Sequence, residues 1–333
     1  MKYLPLVTAP LSGRDFAKNI SRQTDCRREA YNLSRFQCNF IDEIANQTLR
    51  VPQVVTGLVR PSILVETWDD GRLISNAFEQ DTSPTHLTTD MTAARDGGPA
   101  VSMKVRKQLA TRLFDTSLKM FLRDNFIHAD LHAGNIMFDS RPSKVPGSKN
   151  KVQSLTLLDA GLTAQLDEQT QPVFNTFLIA MCRMEAETIS ECLVKFNKHK
   201  ENRPRTEQQM RKLVATVQSI IDEYSDENGK SRIDGGPVNV GWVMGGILHR
   251  LPDHHIKLKG DVAFSVCVIS LIEGLIRQLN PSFDMFAEAM PYFHKYKLID
   301  TIQLVEQRVE DKKQRRKHAA KLANGVAALA VNA

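Results

Sequence analysis

The sequence is poor in the residues that staple or anchor a chain. Five cysteines, Cys26, Cys38, Cys182, Cys192 and Cys267, are scattered through 333 residues, and no Cys-x-x-Cys pair occurs. An odd, dispersed set gives no basis for a disulfide framework or a zinc site; it reads as reduced thiols in an intracellular compartment, mostly packed as small apolar residues. Long apolar runs are lacking too. The most apolar stretch, Val262 to Ile272, is bounded by Asp261 and Glu273 and falls short of the roughly 20 residues a membrane-spanning helix needs. The opening MKYLPLVTAPLSGRDF has neither the apolar core of a secretory signal nor the Arg- and Ser-rich pattern of a transit peptide. No internal repeat is visible.

What is present describes an ordinary globular chain, 42% hydrophobic and 25% charged, long enough for two lobes. The net charge of +6 is uneven, with a basic run at Lys312, Lys313, Arg315, Arg316 and Lys317. The remainder is close to neutral, so nucleic acid is not an expected partner. A solvated helix face explains the run, and an anionic membrane surface or partner is the other reading.

Apolar residues at helical spacing, Ala30, Leu33, Phe36 and Phe40, predict a helix within residues 14–46. Val51 to Val55 and Ser62 to Glu66 read as short strands around a turn at Gly57 and Pro61, and Asp69-Asp70-Gly71 ends the second. A polar stretch without periodicity, residues 79–100, marks a linker. A long amphipathic helix follows, with Val105, Leu109, Leu113, Leu118, Phe121 and Leu122 on one stripe. Ser140 to Lys151 reads as an exposed, mobile insert, and Ser154 to Leu158 as a strand. Everything after Asp167 is helical in texture, broken at Arg203-Pro204, Asn228 to Pro237 and Asn280-Pro281. A few strands followed by helices is an α+β arrangement. The expected organisation is a small lobe over 1–75, a linker over 76–100, a helical lobe over 101–290 and a basic helical tail over 291–333.

The stretch FIHADLHAGNIMF gathers His128, Asp130, His132 and Asn135 at one turn, and a second aspartate, Asp159, follows a strand and precedes Ala160-Gly161. Phosphoryl transfer needs such a set, because hard oxygen ligands must hold divalent cations against dispersed phosphate charge. Asn135 and Asp159 suit Mg²⁺. Asp130 can orient a hydroxyl or water, or accept its proton. His128 joins it as a candidate catalytic residue by bracing the loop, and Gly134 and Gly161 permit backbone conformations that a β-carbon resists. The order His-x-Asp-x-x-x-x-Asn, then Asp-x-Gly, matches the protein-kinase pattern. His128 and His132, four apart, are also compatible with one metal on a helix, although Gly134-Asn135 argues for a loop. Trp68 and the Met244-Gly245-Gly246 and Gly235-Gly236-Pro237 segments read as core packing and as ordinary turns, respectively.

His128 to Asn135, read as HADLHAGN, resembles the HADxHPGN catalytic loop of the UbiB/ADCK (aarF-domain) atypical kinases. Gln23 to Asn32 is similar to that family's ExDxxxEAxN helix, and Ser62 to Glu66 followed by Gly71 to its hinge strand and turn. Asp-Ala-Gly in place of Asp-Phe-Gly points to the ADCK-two-like branch. The resemblance implies a protein-kinase-like fold with an incomplete N-lobe, ATP and Mg²⁺ as cofactors, and a kinase or ATPase role in ubiquinone or isoprenoid-lipid biosynthesis. It further implies a mitochondrial setting, with isoprenoid lipid or quinone-biosynthesis proteins as partners and peripheral membrane association. By position, Asp130 is the catalytic-loop aspartate and Asn135 and Asp159 are the metal ligands. Glu29 would pair with a nucleotide-binding lysine, and Glu66 would lie at the adenine hinge.

The family's KxGQ segment, Ala-rich loop and strand lysine are not found before Gln23, and Gln23 replaces the glutamate of ExD. An N-terminally incomplete version of a longer protein and a degenerate pseudokinase are both expected readings. A pseudokinase scaffold or lipid-binding module is therefore the alternative function. A small-molecule phosphotransferase of the aminoglycoside or choline kinase type, whose loops read H-x-D-x-H-x-x-N, is a third.

Overall fold

The structure, a computed structural model, describes residues 25–78, 101–142, 151–199 and 206–296, with Glu201, Pro204 and Leu298 besides. The linker reading over 79–100, Gln23 and the basic run all lie outside these residues.

Helix α1, Cys26–Asn39, starts where the Asp25 carboxylate accepts from Arg27 N and ends at Phe40. It buries Ala30, Asn32, Leu33 and Phe36, the face its periodicity indicates. A short α2, Ile41–Ala45, leads to β1, Leu49–Arg50. Residues 53–67 form a hairpin held by isolated contacts rather than two regular strands. Val54 bridges Glu66, Val55 N donates to Val65 O, and Thr67 N to Gln53 O. The hairpin carries exposed apolar side chains, and Trp68, expected in the core, is 87% exposed with its indole N–H on Asp70. No layer covers that face among the described residues, so neighbouring apolar side chains cannot bury the ring.

Strand β2, Arg72–Leu73, and a 3-10 turn, Ile74–Ala77, follow. The long helix α3, Met103–Lys119, then passes into a π turn, Met120–Asp124, closed by Asn125 in the left-handed region. The extra residue of the π turn rotates the stripe, which is how Met120, Phe121 and Leu122 are all buried in succession. Lys119 is itself buried; its Nζ donates to Asn39 O, meets Glu43 at 2.7 Å and lies 4.3 Å from the Phe40 ring centroid, tying α3 to the end of α1.

β3, Ile127–His128, pairs antiparallel with β6, Thr163–Ala164. β4, Ile136–Pro142, and β5, Lys151–Leu157, form an antiparallel pair at the centre of a four-stranded sheet of order β1-β5-β4-β2. Their register takes Ser140, Arg141, Pro142 and Lys151 out of the expected loop and into the ladder, and the Ser140 hydroxyl bonds Gln153. Asp69 knits this sheet: it forms an ion pair with Arg50 of β1 at 2.6 Å, and it accepts from the Thr156 hydroxyl of β5 at 3.1 Å and from Gly71 N.

The helical half comprises α4 (Thr170–Cys182), α5 (Ala186–Lys195), α6 (Glu207–Tyr224), α7 (Val240–Arg250) and α8 (Gly260–Leu279). Met244-Gly245-Gly246 is inside α7 rather than in a turn, and a β-carbon on Gly246 would stand 2.9 Å from Ile220 of α6. At 20 residues and mean hydropathy 1.7, α8 is long and apolar enough to cross a membrane, unlike the shorter run seen in the sequence. Two thirds of its apolar window is buried in protein, as in the core helix of a globular domain. All five cysteines are free; burial pushes the Cys182 and Cys192 thiols up to about 12.

The chain divides into two compact units at Ala287 and Glu288. Helix α9, Met285–Lys295, crosses that division with Pro291 inside it.

Candidate functional site

The site is assembled at the end of the β4–β5 pair. Ile136 faces Leu157 in the ladder, and one residue further out Leu158 N donates to Asn135 O at 2.9 Å. Two motifs that lie 24 positions apart in sequence are thereby joined by a backbone hydrogen bond, with Asn135 on one side and Asp159 just beyond.

His128 is fully buried against the Phe36 ring, with centroids 5.8 Å apart. Its Nε2 meets Leu158 O at 2.9 Å, and its Nδ1 accepts from Asp130 N at 3.3 Å. Those partners fix the tautomer with the proton on Nε2, and burial holds the imidazole below its usual pKa. It acts on the loop by bracing both aspartate segments. Asn135 Nδ2 closes the loop on Asp130 O at 3.0 Å. Gly134 N donates to His132 Nδ1, leaving the His132 Nε2 side toward Asp130 Oδ2, 3.8 Å away. The two histidines are thus turned to different partners, and among the described residues no group of three or more His, Cys, Asp or Glu is arranged to hold a metal by itself.

The backbone freedom expected at Gly134 and Gly161 belongs to Asp159 instead, which has φ +48°. That left-handed conformation is tolerated by few non-glycine residues, aspartate among them, and marks strain at the strand end. Gly161 is required for a different reason. Its N–H donates to Asp159 Oδ1, and a β-carbon there would stand 3.1 Å from that oxygen.

Helix α1 presents Glu29, Asn32 and Phe36 on one face. Asn32 Nδ2 donates to Ala160 O at 2.7 Å in a buried contact, so α1 holds the Asp-Ala-Gly segment directly. Asn32 is the polar residue among the buried positions of α1, and that is the signal in the sequence that marks it for such a contact. Glu29 hydrogen-bonds Asp159, and its carboxyl is pushed up to about 7 by burial, then by the charges of Asp159 and Glu66. Glu66 is raised likewise by partial burial and by Asp159. Its side chain is thus electrostatically linked to the acidic cluster. Arg27, one conceivable partner for Glu29, pairs with Asp25 at 2.7 Å. Glu29, Glu66 and Asp159 thus form one acidic cluster, and the Leu158–Asn135 bond and His128 tie its strand end to the loop that carries Asp130.

The donor chemistry fits a hard cation. A half-buried carboxyl beside two others, and a carboxamide whose nitrogen is already bonded, offer oxygens of the kind Mg²⁺ takes.

The family model of the ABC1 atypical kinase-like domain matches residues 5–193. Among curated proteins, the chain is 21% identical to the mitochondrial ABC1 family protein YPL109C of Saccharomyces cerevisiae, across 89% of this chain and 46% of that protein. It is 23% identical to a probable protein kinase UbiB of Pseudomonas putida, across 85% of this chain and 45% of that protein. The chain therefore spans less than half the length of these relatives. Among solved structures, Rv3197 of Mycobacterium tuberculosis, from its complex with erythromycin, aligns with a TM-score of 0.48 at 16% identity, over 85% of this chain and 61% of that one. The α+β architecture is that of a protein-kinase-like fold, and the chain belongs to the ABC1 atypical kinase-like family, to which UbiB and ADCK proteins also belong.

Proposed function

We propose that this protein binds ATP with Mg²⁺ and acts as a kinase or ATPase in support of ubiquinone or isoprenoid-lipid biosynthesis. The observation that supports this reading is the backbone hydrogen bond from Leu158 N to Asn135 O, which joins the loop that carries the amide to the strand end that precedes Asp159. Asp159 and Asn135 would hold the metal, Asn135 through Oδ1, since its Nδ2 is committed to Asp130 O. Bound Mg²⁺ supplies charge neutralisation to the phosphoryl group. Asp130 orients an attacking hydroxyl or water and accepts its proton, with His132 Nε2 on its far side. His128 keeps the loop in register, and Glu29 and Glu66 set the charge of the nucleotide cleft.

The quinone-lipid role and a mitochondrial location draw support from relatives, a mitochondrial ABC1 family protein and a probable UbiB kinase; peripheral membrane association and biosynthetic protein partners belong to the same proposal. Titration of the purified chain with ATP, with and without Mg²⁺, tests the core claim. Wild type should bind only with the metal, and Asp159→Asn should abolish that dependence. Equal binding by both proteins would refute the assignment.

A second reading, a pseudokinase scaffold, is favoured by Glu29, whose charged neighbours among the described residues are carboxylates. It requires Asp130→Asn to leave quinone production intact in cells depleted of the wild-type protein. The kinase or ATPase reading requires loss.

A further inference from the structure

A second cavity lies at the opposite end of β5 from Asp159. It has a volume of about 380 Å³ and is lined by α3 and by the first residues of β5, within the range of small-molecule sites. From α3 come Lys107, Gln108, Arg112 and Asp115, at spacings that put them on one face of the helix; Lys151 and Gln153 come from β5. Six residue steps of strand lead from Lys151 to Leu157, so about 20 Å of chain lies between this cavity and the carboxylate cluster.

Its electrostatics are opposite to those of the cluster. Three cations face one acid. Lys107 and Lys151 are exposed, free to swing toward an occupant, while Arg112 Nε is buried with no hydrogen-bond partner among the described residues. A buried guanidinium N–H without an acceptor is disfavoured unless a ligand oxygen arrives. A guanidinium fork and two ammonium groups match the oxygens of a tetrahedral dianion, whose charge of nearly two would balance the lining's net excess. The cavity exceeds what a bare phosphate fills, leaving room for a small polyol beside Gln108 and Gln153.

We infer that the cavity between α3 and β5 binds a phosphate monoester of a small polyol, either a soluble metabolite or a lipid headgroup, through Lys107, Arg112 and Lys151. The site is separate from the nucleotide cleft and does not depend on that reading.

The test is calorimetric titration of the full chain with glycerol 3-phosphate, using glycerol as the blank, together with sedimentation on phosphatidylcholine vesicles with and without phosphatidic acid. Saturable binding of glycerol 3-phosphate identifies a soluble source, and binding only to the phosphatidic acid vesicles identifies the lipid headgroup. Either supports the proposal if Lys107→Gln and Lys151→Gln each weaken it by roughly tenfold, the size of one charge-assisted hydrogen bond, and Arg112→Gln removes it. Asp159→Asn should bind as wild type does. Both lysines are exposed, so their variants stay informative if Arg112→Gln misfolds. Binding to neither probe, or binding unchanged in the lysine variants, or lost equally in Asp159→Asn, would overturn the proposal.

Discussion

Two glutamates on two helices have met opposite treatment from the same fold. Glu273 of α8 is 2% exposed, and its carboxylate is fully answered. It accepts from Val240 N at 2.9 Å, Gly241 N at 2.7 Å and Arg277 Nε at 3.0 Å, while Arg277 Nη2 goes on to the carbonyls of Pro237 and Val238. The pair therefore fastens the start of α7 to α8. Glu29 of α1 is half-buried near Asp159 and Glu66, and burial and their charges push its carboxyl up to about 7. A carboxylate that backbone N–H groups and a guanidinium surround is part of the scaffold. One that is left among its own kind is waiting for a cation, and that is where a ligand gains binding energy.

The largest test of this contrast is Glu273→Ala. It strands Arg277 and two helix N-terminal N–H groups, and urea unfolding should show a loss of about 3–5 kcal/mol. Next is Glu29→Gln, which should leave stability at neutral pH unchanged or raise it. With its pKa moved from 4.5 to about 7 in the folded chain, Glu29 keeps its proton where the unfolded chain has lost it. Its contribution is thus intact below about 4.5, falls as pH rises toward 7 and is gone above that. Unfolding curves across that window should slope less for Glu29→Gln than for wild type; identical slopes would mean the carboxylate is not held protonated. Glu66→Gln should give the smallest effect, a modest lowering of the Glu29 pKa, because it removes the lesser of two repulsive charges. Carboxyl chemical shifts followed through a pH titration would measure it.

Long elements were legible because burial leaves a periodic stripe. The buried positions of α1 fall where Ala30, Leu33 and Phe36 predicted them, and three of the breaks between the later helices fall at the expected Pro and Gly clusters, while those at 183–185 and 251–259 had not been expected. Two-residue strands such as β1 and β2 have no period to read, and β4 hid under a charged, Pro-containing stretch because its partner, not its composition, makes it a strand. Asp69 looked like a strand breaker, yet it joins three segments distant in sequence, a task no local pattern can announce. Trp68 was misjudged for the same reason. An aromatic ring is buried only if something is there to cover it.

The site divides along the same line. Asp130, Asn135 and Asp159 could be named from their spacing, since a chemistry that needs oxygen ligands restricts residue types at fixed places. That Glu29 hydrogen-bonds Asp159, that Asn32 holds Ala160 O and that Asp159 adopts φ +48° could not be.

The amino-acid order alone settled which donors and acceptors the chain possesses and which helices it would form, because side-chain chemistry and helical periodicity are local properties. Only the packed molecule decided which carboxylates became neighbours, which histidine lost access to water and which cations were left facing an empty space. Proton affinity and hydrogen bonding depend on distance and desolvation, and both are set by contacts between residues far apart in the chain.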